Sequence, residues 1–468
     1  MEAKRAEVVV LGAGPAGLAA GVALARAGCS PWIVERDDTP GGLMRGLRHG
    51  AYQVDLGRKE LYDRIPEVVR LWESLLGEDL RPYAHRVGIL YDGVIIERER
   101  VYRGALRGLP PRMLARGARD FVRARVRRVR DRRPPSNLEE YWIDRRGEFL
   151  TRALSQGYQE KFTGVPYRAR PVPEEQSGSK ARASTAEAVK ALVDRLQAPS
   201  REVVFRHPRR GTQQIVDAMV AEIERHGGRF LFGATVKSIA HEGGRVRHIE
   251  LDQRGETRRL GCDAVVSGLP LMLLARVLGV ADDALLRVDW NRSRRTLIGY
   301  FFLDAPPRFS HAWLEVSCPK LSIGRITSYD AFGGEMCPPG RGAIAAELYL
   351  DALDPRAAAE DEEVLDALEH ELVTAGLVVK ETIVDRRLVR IRGSEASVDY
   401  RNWTDPLVES LLARLEAFEN LFDANRAGID VATFAGLEAA RAIVTGDAAR
   451  FRAVADPRTP YSDYERLA

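Results

Sequence analysis

Glu7-Val8-Val9-Val10-Leu11-Gly12-Ala13-Gly14-Pro15-Ala16-Gly17 reads as a strand, a glycine turn and the start of a helix, and Glu35 at the end of the next apolar run completes the unit. Val8 to Leu11 read as a buried parallel strand, because a strand covered on both faces is apolar at every position. Gly12 makes the tight turn off that strand. Gly14 lets backbone approach a pyrophosphate, and Gly17 lets the following helix pack close to the sheet. The helix runs through Leu18, Ala19, Ala20, Val22, Ala23, Leu24 and Ala25 and stops at Gly28. Its N-terminus, with Pro15 and Ala16 in the first turn, offers amide donors and a positive dipole end to phosphate. Pro31-Trp32-Ile33-Val34 is the second strand. Glu35 can accept both hydroxyls of a ribose and would repel a 2′-phosphate. Together these residues predict a flavin or nicotinamide dinucleotide site.

A second glycine pair follows in Arg36-Asp37-Asp38-Thr39-Pro40-Gly41-Gly42-Leu43-Met44-Arg45-Gly46. This stretch resembles the glycine-pair motif of two-dinucleotide-domain flavoproteins. That group comprises the flavin amine oxidases, protoporphyrinogen oxidases, carotenoid desaturases and UDP-galactopyranose mutases. The resemblance implies FAD rather than a nicotinamide, with this stretch along the pyrophosphate and ribityl chain.

The resemblance extends over residues 5–450. Tyr52-Gln53-Val54-Asp55-Leu56-Gly57 is similar to an aromatic-x-apolar-Asp-apolar-Gly segment of the group. Tyr158-Gln159-Glu160-Lys161-Phe162-Thr163-Gly164-Val165-Pro166 is similar to another. Phe205-Arg206-His207-Pro208-Arg209-Arg210-Gly211 precedes an amphipathic helix carrying Ile215, Met219 and Ile223 on one face. Phe230 to Val236 is expected as a strand, with Gly243-Gly244 turning the chain after it. Cys262-Asp263-Ala264-Val265-Val266-Ser267-Gly268-Leu269-Pro270 resembles the strand that re-enters the FAD domain. Ile323-Gly324-Arg325-Ile326-Thr327 and Ala346-Glu347-Leu348-Tyr349 fit the branch shared by oxidase-like proteins and sugar mutases. Asn420 to Gly428 resembles the last strand, and Phe434 to Ile443 the helix whose N-terminus faces the flavin ring.

The implied fold class is α/β: an FAD-binding Rossmann-like domain with an interleaved α+β substrate domain. The FAD domain is expected from residues 1–90, 203–290 and 385–450, and the substrate domain from 91–202 and 291–384. Residues 451–468 form a C-terminal tail. The flavin is expected at the carboxyl ends of the parallel strands, with substrate between the domains. The resemblance implies cofactor contacts from Arg36, Val236, Arg426, Val431 and Ala432, besides the glycine-rich segments.

The chain departs from the group at Gly57-Arg58-Lys59, where relatives often carry Gly-Gly-His, and at Asn425-Arg426, where they usually carry Gly-Arg. The link from Arg426 to Gly436 is also short. Arg58, Lys59 and Arg325 are the expected catalytic-site cations. With Arg426 they predict a small, anionic substrate, since guanidinium binds carboxylate or phosphate bidentately. The first reading of the chemistry is an FAD-dependent oxidoreductase, an oxidase, dehydrogenase or desaturase, with hydride transfer to flavin N5. The alternatives are a flavin-dependent mutase without net redox, disfavoured because Arg58 and Lys59 replace the small Gly-His stretch, and an FAD-holding protein without catalysis.

Composition bounds the remainder. The 468 residues are 45% apolar and carry a formal charge of +4. Fourteen arginines fall within residues 98–133. Phe121, Val122, Val126 and Val129 give this stretch one apolar stripe. It reads as a solvated basic face, or as a contact with a membrane surface or an anionic partner. No aromatic platform accompanies the charge, so nucleic acid is not expected. The scattered Cys29, Cys262, Cys318 and Cys337 and the lack of metal-ligand spacing argue for a reducing compartment and against a zinc site. Met1-Glu2-Ala3-Lys4-Arg5 leads straight into the first strand, so a cytoplasmic protein without signal peptide is expected. No uncharged apolar run approaches the length of a membrane span. Residues 171–200 read as a mobile connection.

Overall fold

Val8 and Val10 pack into one apolar core of the strand Lys4–Leu11, and Val9 and Leu11 pack into a second core on the opposite face. Two-sided burial is why Val8 to Leu11 has no polar position. The computed structural model describes residues 4–84, 86–97, 109–130, 133–172, 204–281, 295–332, 335–351, 353–391 and 406–456. The expected connection at 171–200 lies almost wholly outside them. The chain divides into two compact units. The first draws on Met1–Tyr83, Phe205–Trp290 and Val398–Ala468, and the second on Ala84–Val204 and Asn291–Ser397.

The first unit is built on a seven-stranded sheet. Its order is Ala234–Glu242, Arg245–Gln253, Glu256–Ser267, Lys4–Leu11, Trp32–Val34 and Arg229–Leu231. The strand Leu421–Asp423 also pairs with Glu256–Ser267. That long strand serves two partners on one edge. Its first part runs antiparallel to Arg245–Gln253, and Val265 to Ser267 run parallel to Leu421 to Asp423. The strands at Lys4, Trp32, Arg229 and Leu421 and the end of Glu256–Ser267 are mutually parallel, so their carboxyl ends share one edge. Backbone bonds link those ends in a row: Ala424 N to Ser267 O, Gly268 N to Leu11 O, Gly12 N to Val34 O, and Glu35 N to Leu231 O.

Helix Pro15–Arg26 packs between two others. A Cβ on Gly436 of helix Ile429–Thr445 would lie 2.0 Å from Ala16 O, and one on Gly21 would lie 2.8 Å from Ile223 Cδ1 of helix Gln213–Arg225. The glycines therefore set how closely these helices approach.

The second unit holds another seven-stranded sheet, ordered Ile383–Ile391, Arg295–Leu303, Gly342–Leu350, Arg325–Ser328, Trp313–Val316, Val87–Tyr91 and Val94–Glu97. Neighbours are antiparallel except Trp313–Val316 beside Val87–Tyr91. Helix Asp361–Thr374 places Leu365, Leu368 and Leu372 in one core, and Ile89, Tyr91, Met113, Phe149 and Leu154 form another.

Four boundaries differ from expectation. Strand Val87–Tyr91 pairs with Trp313–Val316, so it belongs to the second unit and the first piece of the first unit ends at Tyr83, not at 90. Strand Ile383–Ile391 pairs with Arg295–Leu303, so it belongs to the second unit and the last piece of the first unit begins after it, not at 385. Helix Ala449–Ala455 buries Phe451 and Val454 in the first core, so residues 451–455 are not part of a tail. The run from Phe230 to Val236 is broken by Gly233 at φ 62°, giving Arg229–Leu231 and Ala234–Glu242 instead of one strand.

Candidate functional site

The two glycine motifs meet at the carboxyl edge of the first sheet. Gly12 has φ 93°, a conformation glycine adopts without penalty, and Gly41 N donates to Ala13 O at 2.7 Å. A Cβ on Gly42 would stand 3.2 Å from Gly14 Cα. A Cβ on Gly17 would stand 1.9 Å from Gly12 O, so Gly17 is required by packing. Gly14 differs: nothing lies within 4 Å of where its Cβ would be. Pro15 opens the helix, and no side chain caps its first turn.

Glu35 follows the strand Trp32–Val34 and reaches back to this turn. Its Oε2 accepts from Ala13 N at 2.8 Å and its Oε1 from Asp37 N at 2.9 Å. Each oxygen keeps acceptor capacity for a hydroxyl. Ala234 N donates to Glu35 O, which brings the strand carrying Val236 beside the acid. Arg36 is exposed and lies 3.6 Å from Asp37, which also pairs with Arg45 at 2.8 Å. Leu43 is exposed and Met44 buried.

After the strand Leu421–Asp423, Arg426 turns back on Asp423 at 3.3 Å and donates to the Asn425 carbonyl. Its Nε is buried without a hydrogen-bond partner among the described residues. Burial pushes the Asp423 carboxyl up, against the pull of Arg426. Val431 and Ala432 are buried in the first turn of helix Ile429–Thr445. That turn also contains a buried acidic side chain, Asp430.

These observations test whether a dinucleotide fits. The open space at Gly14, the uncapped helix start, the two-oxygen acceptor at Glu35 and the orphaned Arg426 Nε suit a pyrophosphate and a ribose.

The residues after the glycine pair form a buried polar cluster that sequence reasoning did not assemble. Asp55 is fully buried. Its Oδ1 accepts from Thr212 N at 2.8 Å, and its Oδ2 faces His207 Nε2 at 2.8 Å. The other ring nitrogen faces Pro208 O at 2.9 Å. Burial alone would raise the Asp55 carboxyl, but His207 and the Thr212 amide outweigh it and hold it low. Thr212 Oγ1 donates to Met44 O at 2.6 Å, which ties this cluster to the glycine pair. The segments Tyr52–Gly57 and Phe205–Gly211 were each visible in the sequence, but not their meeting.

Arg58 and Lys59 sit in the loop beyond Gly57. Arg58 pairs with the buried Glu60 at 3.1 Å, and Tyr62 OH donates to Glu60 at 2.6 Å. Burial pushes the Tyr62 phenol up to about 12. Lys59 Nζ donates to the Leu56 and Arg58 carbonyls. Arg325 lies in the second unit, half-buried, with a two-point pair to the buried Glu347 at 2.9 and 2.5 Å. Tyr349 OH donates to the same carboxylate at 2.8 Å. Three of the four cations expected to attract an anion are thus matched by protein carboxylates. The signal for an anionic substrate is correspondingly weak.

A family model described as flavin containing amine oxidoreductase matches residues 15–409. The chain belongs to this family. Its cofactor is FAD. This amine oxidoreductase-family chain is 28% identical over 312 residues to a phytoene dehydrogenase of Streptomyces griseus, covering 58% of the chain and 56% of that protein. It is 46% identical over 67 residues to a hydroxyneurosporene desaturase of Cereibacter sphaeroides, 13% of the chain and 14% of that protein. The chain thus spans about half, or less, of the curated relatives it matches. Among solved structures, reduced UDP-galactopyranose mutase has a TM-score of 0.75 at 19% identity, covering 97% of the chain and 98% of its own. Putrescine oxidase bound to putrescine has a TM-score of 0.57 at 14% identity, covering 95% and 100%. Likeness at such identity is one of fold.

Proposed function

We propose that the protein is an FAD-dependent dehydrogenase that introduces a carbon–carbon double bond into a small organic substrate. The observation that carries the reading is the joined cradle of Gly12–Gly17, Gly41–Met44 and Glu35, in a chain whose curated relatives are named for dehydrogenation and desaturation. In this reading Gly14, Ala16, Gly17 and Arg426 hold the pyrophosphate and Glu35 the adenosine ribose. Gly42, Leu43, Met44 and Arg45 run along the ribityl side, with Arg36, Val236, Val431 and Ala432 completing the surround. FAD supplies the two-electron acceptor. The chain's residues bind and orient it, and the Asp55–His207–Thr212 cluster keeps the glycine-pair turn in place through Met44 O. Arg58, Lys59 and Arg325 act as structural cations, because each is already engaged with protein acceptors.

The test mixes the flavin-loaded protein anaerobically with a panel of polyenes, amines and hydroxy acids and follows flavin absorbance. Bleaching by an unsaturated hydrocarbon, with a product two hydrogens poorer, is expected. Bleaching by an amine or hydroxy acid instead would move the reaction elsewhere in the family. No bleaching, with interconversion of UDP-galactopyranose and UDP-galactofuranose after dithionite reduction, would replace the proposal with a mutase.

A further inference from the structure

The arginine-rich segment folds as helix Pro111–Arg130, with eight arginines against one aspartate. Its apolar residues do not form the one stripe the sequence suggested. Met113, Gly117 and Ala124 are buried, with Leu114 and Phe121 at the margin. This side packs on its own unit: a Cβ on Gly117 would meet Leu150 at 3.3 Å, and Met113 shares a core with Ile89 and Phe149. Arg128 pairs with Asp144, and Arg125 lies over the Phe121 ring, so these two arginines belong to the packed side.

The second stripe faces solvent. Val122, Val126 and Val129 are 58%, 47% and 76% exposed, and Ala115 and Ala118 are exposed with them. Positions 115, 118, 122, 126 and 129 fall every three or four residues, so they line one ridge of the helix. Arg112, Arg116, Arg119, Arg123, Arg127 and Arg130 are exposed along its flank. Asp120 lies 3.5 Å from Arg119 and 3.8 Å from Arg123 and offsets only one charge.

We propose that this ridge docks on an anionic lipid surface, with the valines entering the headgroup boundary and the flanking guanidiniums meeting lipid phosphates. A helix of 20 residues spans about 30 Å, long enough to lie flat along a bilayer. No helix among the described residues is long and apolar enough to cross a membrane, so attachment is peripheral. A second copy of the helix is excluded by like charge. A fluid headgroup layer gathers anions around fanned arginines without a matched relief, and it accepts short aliphatic side chains on a helix crown. The valines are small, so attachment depends on charge and is sensitive to salt.

The test sediments the full chain with vesicles of phosphatidylcholine alone and of phosphatidylcholine with phosphatidylglycerol. Binding is expected only to the anionic vesicles, falling at least about tenfold between about 0.05 M and about 0.5 M salt. Arg112→Gln, Arg123→Gln, Arg127→Gln and Arg130→Gln together should weaken it by a similar factor. Val122→Ser, Val126→Ser and Val129→Ser together leave the charge unchanged and should weaken it about threefold or more. Leu353→Ser, at a 91% exposed leucine of the same unit, should change nothing. Circular dichroism and melting confirm that each variant folds. If the arginine variant fails to fold, the solvent-facing valine variant decides alone. Equal binding to neutral vesicles, or a valine variant that binds like the parent, overturns the proposal. Soluble polyglutamate that displaces parent and valine variant equally from vesicles also overturns it, pointing to an acidic polypeptide instead.

Discussion

Gly14 and Gly17 stand three residues apart and serve different physical ends. A Cβ at Gly17 would fall 1.9 Å from Gly12 O, a backbone atom of the tight turn that cannot yield cheaply. At Gly14 a side chain meets no protein atom, and the backbone, at φ −79° and ψ −174°, suits any residue. Gly17→Ala is therefore expected to cost about 1–3 kcal/mol through overpacking and to lower the melting temperature. Gly14→Val is expected to keep the parent's melting temperature in the apo form and lose the yellow chromophore. Melting curves and flavin absorbance of the two variants separate the effects. Full flavin occupancy in Gly14→Val would show that the pyrophosphate does not pass there. Both glycines were legible from spacing alone. The hydrogen bond from Ala13 N to Glu35 was not, because it depends on where the second strand ends relative to the first.

Among the elements, helix Gly157–Thr163 shows how one sequence segment is locked to a sheet. Gly157 lies so close to the strand Trp313–Val316 that a Cβ would sit 2.2 Å from Ser317 O. One turn later Lys161 Nζ donates to the carbonyls of Val316, Cys318 and Ile323 at 3.0, 2.7 and 3.1 Å. Burial pushes this ammonium down to about 8 from 10.5, with Cys318 and Glu371 pulling the other way. The folded pKa lies below the unfolded one, so between these values the unfolded chain binds more protons. The group's contribution to stability therefore rises with pH across that window, and its desolvation cost is fully felt below about 8. The difference in stability between the parent and Lys161→Met is expected to shift in the parent's favour from pH about 8 to about 10.5. Melting temperatures of both proteins across that range measure it. A flat difference would mean that the ammonium stays solvated. The segment around Tyr158–Pro166 was visible as a family resemblance, but the three carbonyls were not, since they lie more than 150 residues away.

At the scale of the whole molecule, the first unit is assembled from three pieces because its central strands come from distant parts of the chain. Val265 pairs with Val9 on one side and with Leu421 on the other. Dinucleotide bound at this edge stabilises the folded state by mass action, by about 2.7 kcal/mol at a hundredfold excess over the dissociation constant. Added FAD is expected to raise the melting temperature. It is also expected to slow amide hydrogen exchange at Gly12–Leu18 and Gly41–Arg45 of the first unit. Melting curves and hydrogen exchange with mass spectrometry check both. Stabilisation without protection at these two turns would place the flavin elsewhere.

The strand, glycine turn, helix, strand and acid of the dinucleotide site, and the glycine pair that follows it, are legible in the order of residues alone. These are local: a continuous apolar run, a helical period and a few fixed spacings within about 45 residues specify them without reference to the rest of the chain. Packing brings Asp55 to His207, 152 positions away, and Arg325 to Glu347. Packing also joins strand Ile383–Ile391 to the second sheet, and turns the valines of helix Pro111–Arg130 outward while Met113, Gly117 and Ala124 face in. Periodicity names the faces of an element, but which face is covered, and by which charge, depends on neighbours that only packing brings together.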